Sequence, residues 1–189
     1  MRGSLRAVLG GVALAAGLTG LALAPIGPAS VLHAETAALP APAPLEAPQG
    51  QVILRVTGPL AVQNAPGAAL FDAAMLAALP RKGFATSTIW TEGVSRFEGV
   101  ELATLLDRLG VHSGQLTLRA INDYAVQMPV ADLRPGGALL ADRRDGKPMS
   151  IRDKGPLWIV FPYDLSDEFR NEVVYSRSVW QLDRIEVTP

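Results

Sequence analysis

The stretch ALLADRRDGKPMSIRDKGPLWIVFP, residues 138–162, decides how the chain folds. Its first part, 138–149, carries Asp145-Gly146. That pair favours the positive φ angles of a two-residue hairpin turn, so the residues on either side read as paired strands. Its second part continues as PLWIVFPYD (156–164), an almost unbroken apolar run bounded by prolines. A run this short and this apolar fits a strand covered on both faces, at the centre of a sheet rather than at its edge. A hairpin followed by a buried strand requires more strands around it.

Reading outward supplies them. SVWQLDRIEV (178–187) alternates apolar and polar residues and closes the chain as a strand. Residues 164–176, between these two strands, are polar and acidic and read as a surface segment with a helical turn. Upstream, QLTLRAIN (115–122) alternates strictly and YAVQMPV (124–130) pairs with it, Asn122 and Asp123 making the turn. A short helix is expected at 130–133. GVELATLLDRLGV (99–111) reads as an amphipathic helix with Leu102, Leu105, Leu106 and Leu109 on one face and Gly110 at its end. FATSTIWTEG (84–93) is rich in β-branched and aromatic residues and reads as a strand. LFDAAMLAALP (70–80) reads as a helix capped by Asp72 and stopped by Pro80. QVILRVTG (51–58) is a strand ending in a turn. Many short strands with a few inserted helices make an α+β fold with a mixed β-sheet.

The N-terminus has the order of a secretory signal. Arg2 and Arg6 precede an uncharged stretch at 7–24, and small residues follow up to Ala34. Residues 1–34 are therefore expected to be cleaved after export to the periplasm; an uncleaved membrane anchor is the alternative. Residues 35–50, ETAALPAPAPLEAPQG, are Ala- and Pro-rich and read as an extended tether. One folded domain remains, residues 51–189, a length that can bury a core of its own.

Composition excludes several classes. Export removes two Arg and no acid, taking the formal net charge from −1 to −3. A weakly acidic domain is a poor partner for nucleic acid. The chain has no cysteine. That rules out disulfides, thiol nucleophiles, iron–sulfur clusters and thiolate-held metals. Loss of His33 with the signal leaves His112 alone, too little for a His-rich zinc site, and it reads as a solvated loop residue.

Four segments in order, FEGVELATLLDRLGV, LRAINDYAVQMPV, ALLADRRDGKPMSIRDKGPLWIVFP and VWQLDRIEV, resemble the oxidoreductase molybdopterin-binding domain. That is the catalytic fold of sulfite oxidase and of the periplasmic methionine sulfoxide reductase. The resemblance spans 51–189 and implies the mixed α+β fold of that family. In the family, a cysteine just before the "GV" helix and the dithiolene of a pterin hold molybdenum. Here that stretch is Ser87-Thr88-Ile89-Trp90-Thr91-Glu92-Gly93, and the ligand position falls at or beside Trp90.

The resemblance therefore implies the fold without the metal centre: an exported, cofactor-free relative that binds a small molecule or a periplasmic or membrane protein, as a sensory or accessory module. The alternative is a molybdopterin-dependent oxidoreductase that keeps its cofactor through an oxygen ligand from Thr or Ser. Candidate pocket residues are Trp90, Thr91 and Glu92, where the family opens its cofactor pocket, with Asn122 and Tyr124 from the polar turn. Trp90 either lines a pocket or fills the space of a lost cofactor. Arg177 is a candidate for gripping an anion, within a group that includes Tyr163, Asp164, Tyr175 and Trp180; an ion pair with Asp164, Asp167 or Glu168 is its structural alternative. No residue is assigned a catalytic or metal-ligating role.

Overall fold

Ten strands build the domain in two sheets. The computed structural model describes residues 43–189, so the signal segment expected at 1–34 and the first part of the Ala/Pro stretch lie outside the described residues. The strands are β1 (Val52–Thr57), β2 (Ala68–Asp72), β3 (Arg81–Thr88), β4 (Thr91–Glu101), β5 (Gln115–Ala120), β6 (Ala125–Pro129), β7 (Leu139–Arg144), β8 (Lys147–Pro148), β9 (Trp158–Val160) and β10 (Leu182–Thr188). Three short helices interrupt them: α1 (Ala73–Ala77), α2 (Leu102–Arg108) and α3 (Glu172–Arg177). One sheet runs β2-β1-β10-β5-β6, with β1 and β10 parallel and the other pairs antiparallel. The other runs β3-β4-β7-β8, with β9 also paired to β7. This is the expected α+β class.

Alternation dictates which faces meet. Leu54 and Val56 of β1 are fully buried, as are Leu116 and Leu118 of β5. In β10 the buried residues Leu182 and Ile185 are three apart, which a regular strand forbids. A register shift between Leu182 and Arg184, with Gln181 at φ 52°, returns both to the core. The Asp145-Gly146 turn forms as expected, with φ of 52° and 75°, and the Asp145 carboxylate accepts the Arg96 N–H at 2.8 Å, pinning the turn to β4. Residues 157–161 are buried throughout, as expected of a covered strand, but β9 is not central: it pairs regularly only with β7, over Trp158–Val160, and beyond that Trp158 makes only an isolated bridge to Trp180. Pro156 and Pro162 lack the N–H needed to extend the strand.

Four expectations are corrected. Residues 70–80 are not one helix: Leu70 and Phe71 belong to β2, paired with β1, and the helix starts after Asp72. Burial of Phe71 outweighs local helix preference, while Asp72 still caps, its Oδ1 accepting the Met75 N–H. Residues 84–93 are not one strand but the tip of a β3–β4 hairpin that turns at Ile89-Trp90. Side chains close this turn. Thr88 Oγ1 accepts the Trp90 N–H at 3.0 Å and lies 2.8 Å from Thr91 Oγ1, and Gly93 takes φ 64°. The helix expected from residue 99 starts at Leu102, because Gly99–Glu101 finish β4 against β7. A Cβ at Gly99 would lie 2.0 Å from the Leu140 carbonyl oxygen, so only glycine permits that pairing. The last strand starts at Leu182, not 178. Ser178–Gln181 approach it irregularly, with Trp180 bridged to Trp158.

Residues 43–50 lie along the domain. Asn64 donates to the Glu46 carbonyl and Arg108 to the Pro44 carbonyl, Leu45 packs on the core, and Gln49 and Gly50 donate their N–H groups to Asp72 Oδ2, both at 2.8 Å.

Candidate functional site

The corrected β3–β4 hairpin places Trp90 at its tip, and the surroundings of that ring form the site. Trp90 sits edge-to-face against four aromatic rings: Trp158 at 6.0 Å, Tyr163 at 6.2 Å, Tyr175 at 5.9 Å and Trp180 at 5.7 Å between centroids. Trp158 and Tyr163 come from the buried run, Tyr175 from α3, and Trp180 from the irregular approach to β10.

Asp164 holds the hairpin in place. Its carboxylate accepts the Ser87 N–H and the Ser87 hydroxyl, while the Asp164 N–H donates to Thr86 Oγ1 at 3.1 Å. The backbone and hydroxyl donors of Ser87 hold the Asp164 carboxyl below its usual range. This clamp also occupies an N–H on the edge of β3 that would otherwise be open for pairing.

Behind Trp90, polar atoms are paired off. The Tyr163 hydroxyl donates to Ser178 Oγ at 2.7 Å, and Ser178 Oγ donates to the Val174 carbonyl at 2.8 Å. Trp158 Nε1 donates to the Ser178 carbonyl at 3.2 Å. Burial pushes the Tyr163 hydroxyl up to about 12.

In front of Trp90 is a cavity of about 290 Å³, walled by Trp90, Tyr124, Tyr175 and Trp180, with Asn122, Ser176 and Ser178 among its polar neighbours. Tyr124 reaches across its mouth, its hydroxyl donating to the Ser176 carbonyl at 2.9 Å. The cavity is small, partly enclosed and largely aromatic, with a few polar atoms, which is the make-up of a small-molecule pocket.

Three of the six sequence candidates, Trp90, Asn122 and Tyr124, meet in this cavity. The other three do not line it. Thr91 is spent on Thr88, and Glu92 is exposed. Arg177 turns to the opposite side of α3, 2.9 Å from Asp132, and lines a separate, wider cleft with Arg134 and Glu168. Its partner is the carboxylate after β6 and not Asp164, Asp167 or Glu168. In the sequence Tyr175 and Trp180 group with other residues near the acidic segment and not with Trp90. Nothing local marks Ser176 and Ser178, whose roles are set by contacts far away in the chain. His112 stands exposed, 3.5 Å from Asp107.

No family model matches the chain, and no curated protein matches it. Among solved structures, the sulfane dehydrogenase SoxCD from Paracoccus pantotrophus is similar, with a TM-score of 0.51 and 18% identity. The match covers 71% of this chain and 37% of that one. What the two share is a fold. SoxC is of the sulfite-oxidase family, so the likeness is to the fold that the sequence resemblance implies. The present chain spans little more than a third of the SoxCD chain it matches.

Proposed function

We infer that this chain is an exported, cofactor-free relative of the molybdopterin-dependent oxidoreductases that binds a small molecule in the periplasm as a sensory or accessory module. The observation that carries this reading is the aromatic cavity in front of Trp90. A tryptophan stands at or beside the position where the family resemblance expects the metal-binding thiolate.

The residues there do not fit the family's metal centre. The chain has no cysteine to supply the thiolate. The hydroxyls that could offer oxygen instead already have partners, Thr88 with Thr91 and Ser87 with Asp164. No Lys or Arg lines the cavity to meet a pterin phosphate. Among the described residues, no group of three or more His, Asp or Glu is placed to hold a metal. These points support a binding module over an oxidoreductase that retains its cofactor.

Two measurements test the reading. Metal and pterin analysis of protein purified from the periplasm is expected to find neither in stoichiometric amount; molybdenum at one per chain would overturn the cofactor-free assignment. A small-molecule fragment screen read by the indole N–H signals in an NMR spectrum is expected to shift Trp90 and Trp180 and to spare the buried Trp158. A screen in which no compound moves Trp90 or Trp180 overturns the binding function.

A further inference from the structure

We propose that the cavity in front of Trp90 takes a small methylated ammonium compound, a cation with an oxygen at its other end. This rests on the binding function proposed above and names the ligand class.

The walls of the cavity present negative charge to a guest. Trp90, Tyr124, Tyr175 and Trp180 surround the space, and Trp90 meets Tyr175 and Trp180 at interplanar angles of 90° and 64°. Rings standing this steeply to one another offer a guest π-systems from more than one direction. An aromatic face is negative, so it attracts cations, and tryptophan does so best. The molecule already shows the effect at this cluster. The Lys154 ammonium, which does not line the cavity, stands 5.0 Å from the Trp180 ring centroid and 5.8 Å from that of Trp158.

The polar atoms of the cavity agree in sign. The Tyr124 hydroxyl donates to the Ser176 carbonyl, the Ser176 hydroxyl to the Val173 carbonyl and the Ser178 hydroxyl to the Val174 carbonyl. Each hydroxyl proton is therefore spent inside the protein; Ser178 Oγ also accepts from Tyr163, so the lone pairs left for a guest are chiefly those of Tyr124 and Ser176. Lone pairs suit the polarised methyl groups of a tetraalkylammonium. The donors that remain are neutral: the Asn122 amide and the indole N–H groups of Trp90 and Trp180. With no Lys or Arg in the lining, an anion would enter without a counter-charge. Those neutral donors fit the hydroxyl or carboxylate oxygen at the far end of such a ligand. A fully methylated ammonium also brings no N–H groups needing acceptors, so it loses little hydration on entering.

Three probes of nearly equal shape isolate the charge. They are choline, its uncharged carbon isostere 3,3-dimethylbutan-1-ol, and the anionic 3,3-dimethylbutanoate, each titrated against the full protein by tryptophan fluorescence. Choline is expected to saturate and to bind about tenfold more tightly than the alcohol, with the anion weakest. Tyr175→Leu and Tyr124→Leu each remove a ring and keep an apolar side chain. Both are expected to weaken choline at least threefold and to leave the alcohol nearly unchanged. Tyr124 is on the exposed rim, so its variant keeps the test open if the α3 variant folds poorly. Equal or tighter binding of the alcohol or the anion overturns the assignment while leaving the cavity a binding site. If none of the three binds, the cation assignment fails, and the fragment screen above separately decides whether the cavity binds anything.

Discussion

Trp90 joins the hairpin to the rest of the domain through four ring contacts, so its loss should be felt both in stability and in binding. The ring is half-buried, so Trp90→Ala should cost less than a core tryptophan, about 2 kcal/mol. Urea unfolding checks this, and the folded variant should no longer bind ligands in the cavity. Tyr163 adds a pH dependence. Its hydroxyl titrates near 10 in the unfolded chain and is raised to about 12 in the folded one. Between those values the folded state keeps a proton that the unfolded state has lost, so stability must fall as pH rises. The stabilisation is whole below pH 10 and disappears as pH passes through about 12, an upper limit of roughly 3 kcal/mol. Urea midpoints measured from pH 9 to 12 should fall in the wild type. Tyr163→Phe should start lower at pH 9, by about 1 kcal/mol for the lost bond to Ser178, and should lack that part of the decline.

At the level of elements, what was legible in the sequence was what neighbouring residues decide. The Asp145-Gly146 turn and the Asp72 cap rest on the conformational preferences of one or two residues, and both formed as read. The β3–β4 turn was illegible because its residues are β-branched and aromatic; Thr88, Thr91 and Gly93 close it through contacts that propensity does not encode. The cavity was half legible for a related reason. Trp90 and the Asn122–Tyr124 turn stood out as loop residues of binding character. Tyr175, Ser176 and Trp180 reach them only because Trp158 pairs with β7 and draws Trp180 alongside. Arg177, one helical step away from Ser176, points elsewhere. The Asp164 clamp belongs to this scale as well, joining the edge of β3 to the loop after β9. Asp164→Ala frees the Ser87 N–H and hydroxyl and should cost about 1 kcal/mol, given its exposure. Its larger effect should be on the tip. Amide hydrogen exchange at residues 87–94 should speed up, and ligand affinity should fall more than global stability does. Because the Asp164 carboxyl is held below its usual value of 3.8, the clamp's contribution is present above that pH and is lost as pH falls below it.

Across the whole molecule, a domain without disulfides depends on burial and on how its ends are fastened. The chain's last strand, β10, lies between β1 and β5, at the centre of its sheet. The segment before β1 is secured differently, as a strap. Leu45 packs on the core, and the strap reaches three separate places: Asn64 in the β1–β2 connection, Arg108 at the end of α2, and Asp72 at the cap of α1. Asp72 therefore caps a helix and anchors the strap with one carboxylate. Its N–H partners, Met75 first and then Gly50, hold its carboxyl below the usual value. Both functions are present above the unfolded-state pKa of 3.8 and are lost together as pH falls through the lower folded-state value. A chain beginning at Gln51 loses the Leu45 contact, worth about 1 kcal/mol for a half-buried leucine, along with the strap's hydrogen bonds. Its melting temperature should drop by at least roughly 2–4 °C relative to a chain beginning at Glu35. None of the strap's hydrogen bonds reaches Trp90, and no strap residue lines the cavity, so ligand affinity measured well below the melting temperature should be unchanged. A truncated chain that melted at the same temperature would mean that residues 43–50 rest on the domain without stabilising it. One that lost affinity would mean that the strap and the aromatic cavity are coupled through the core.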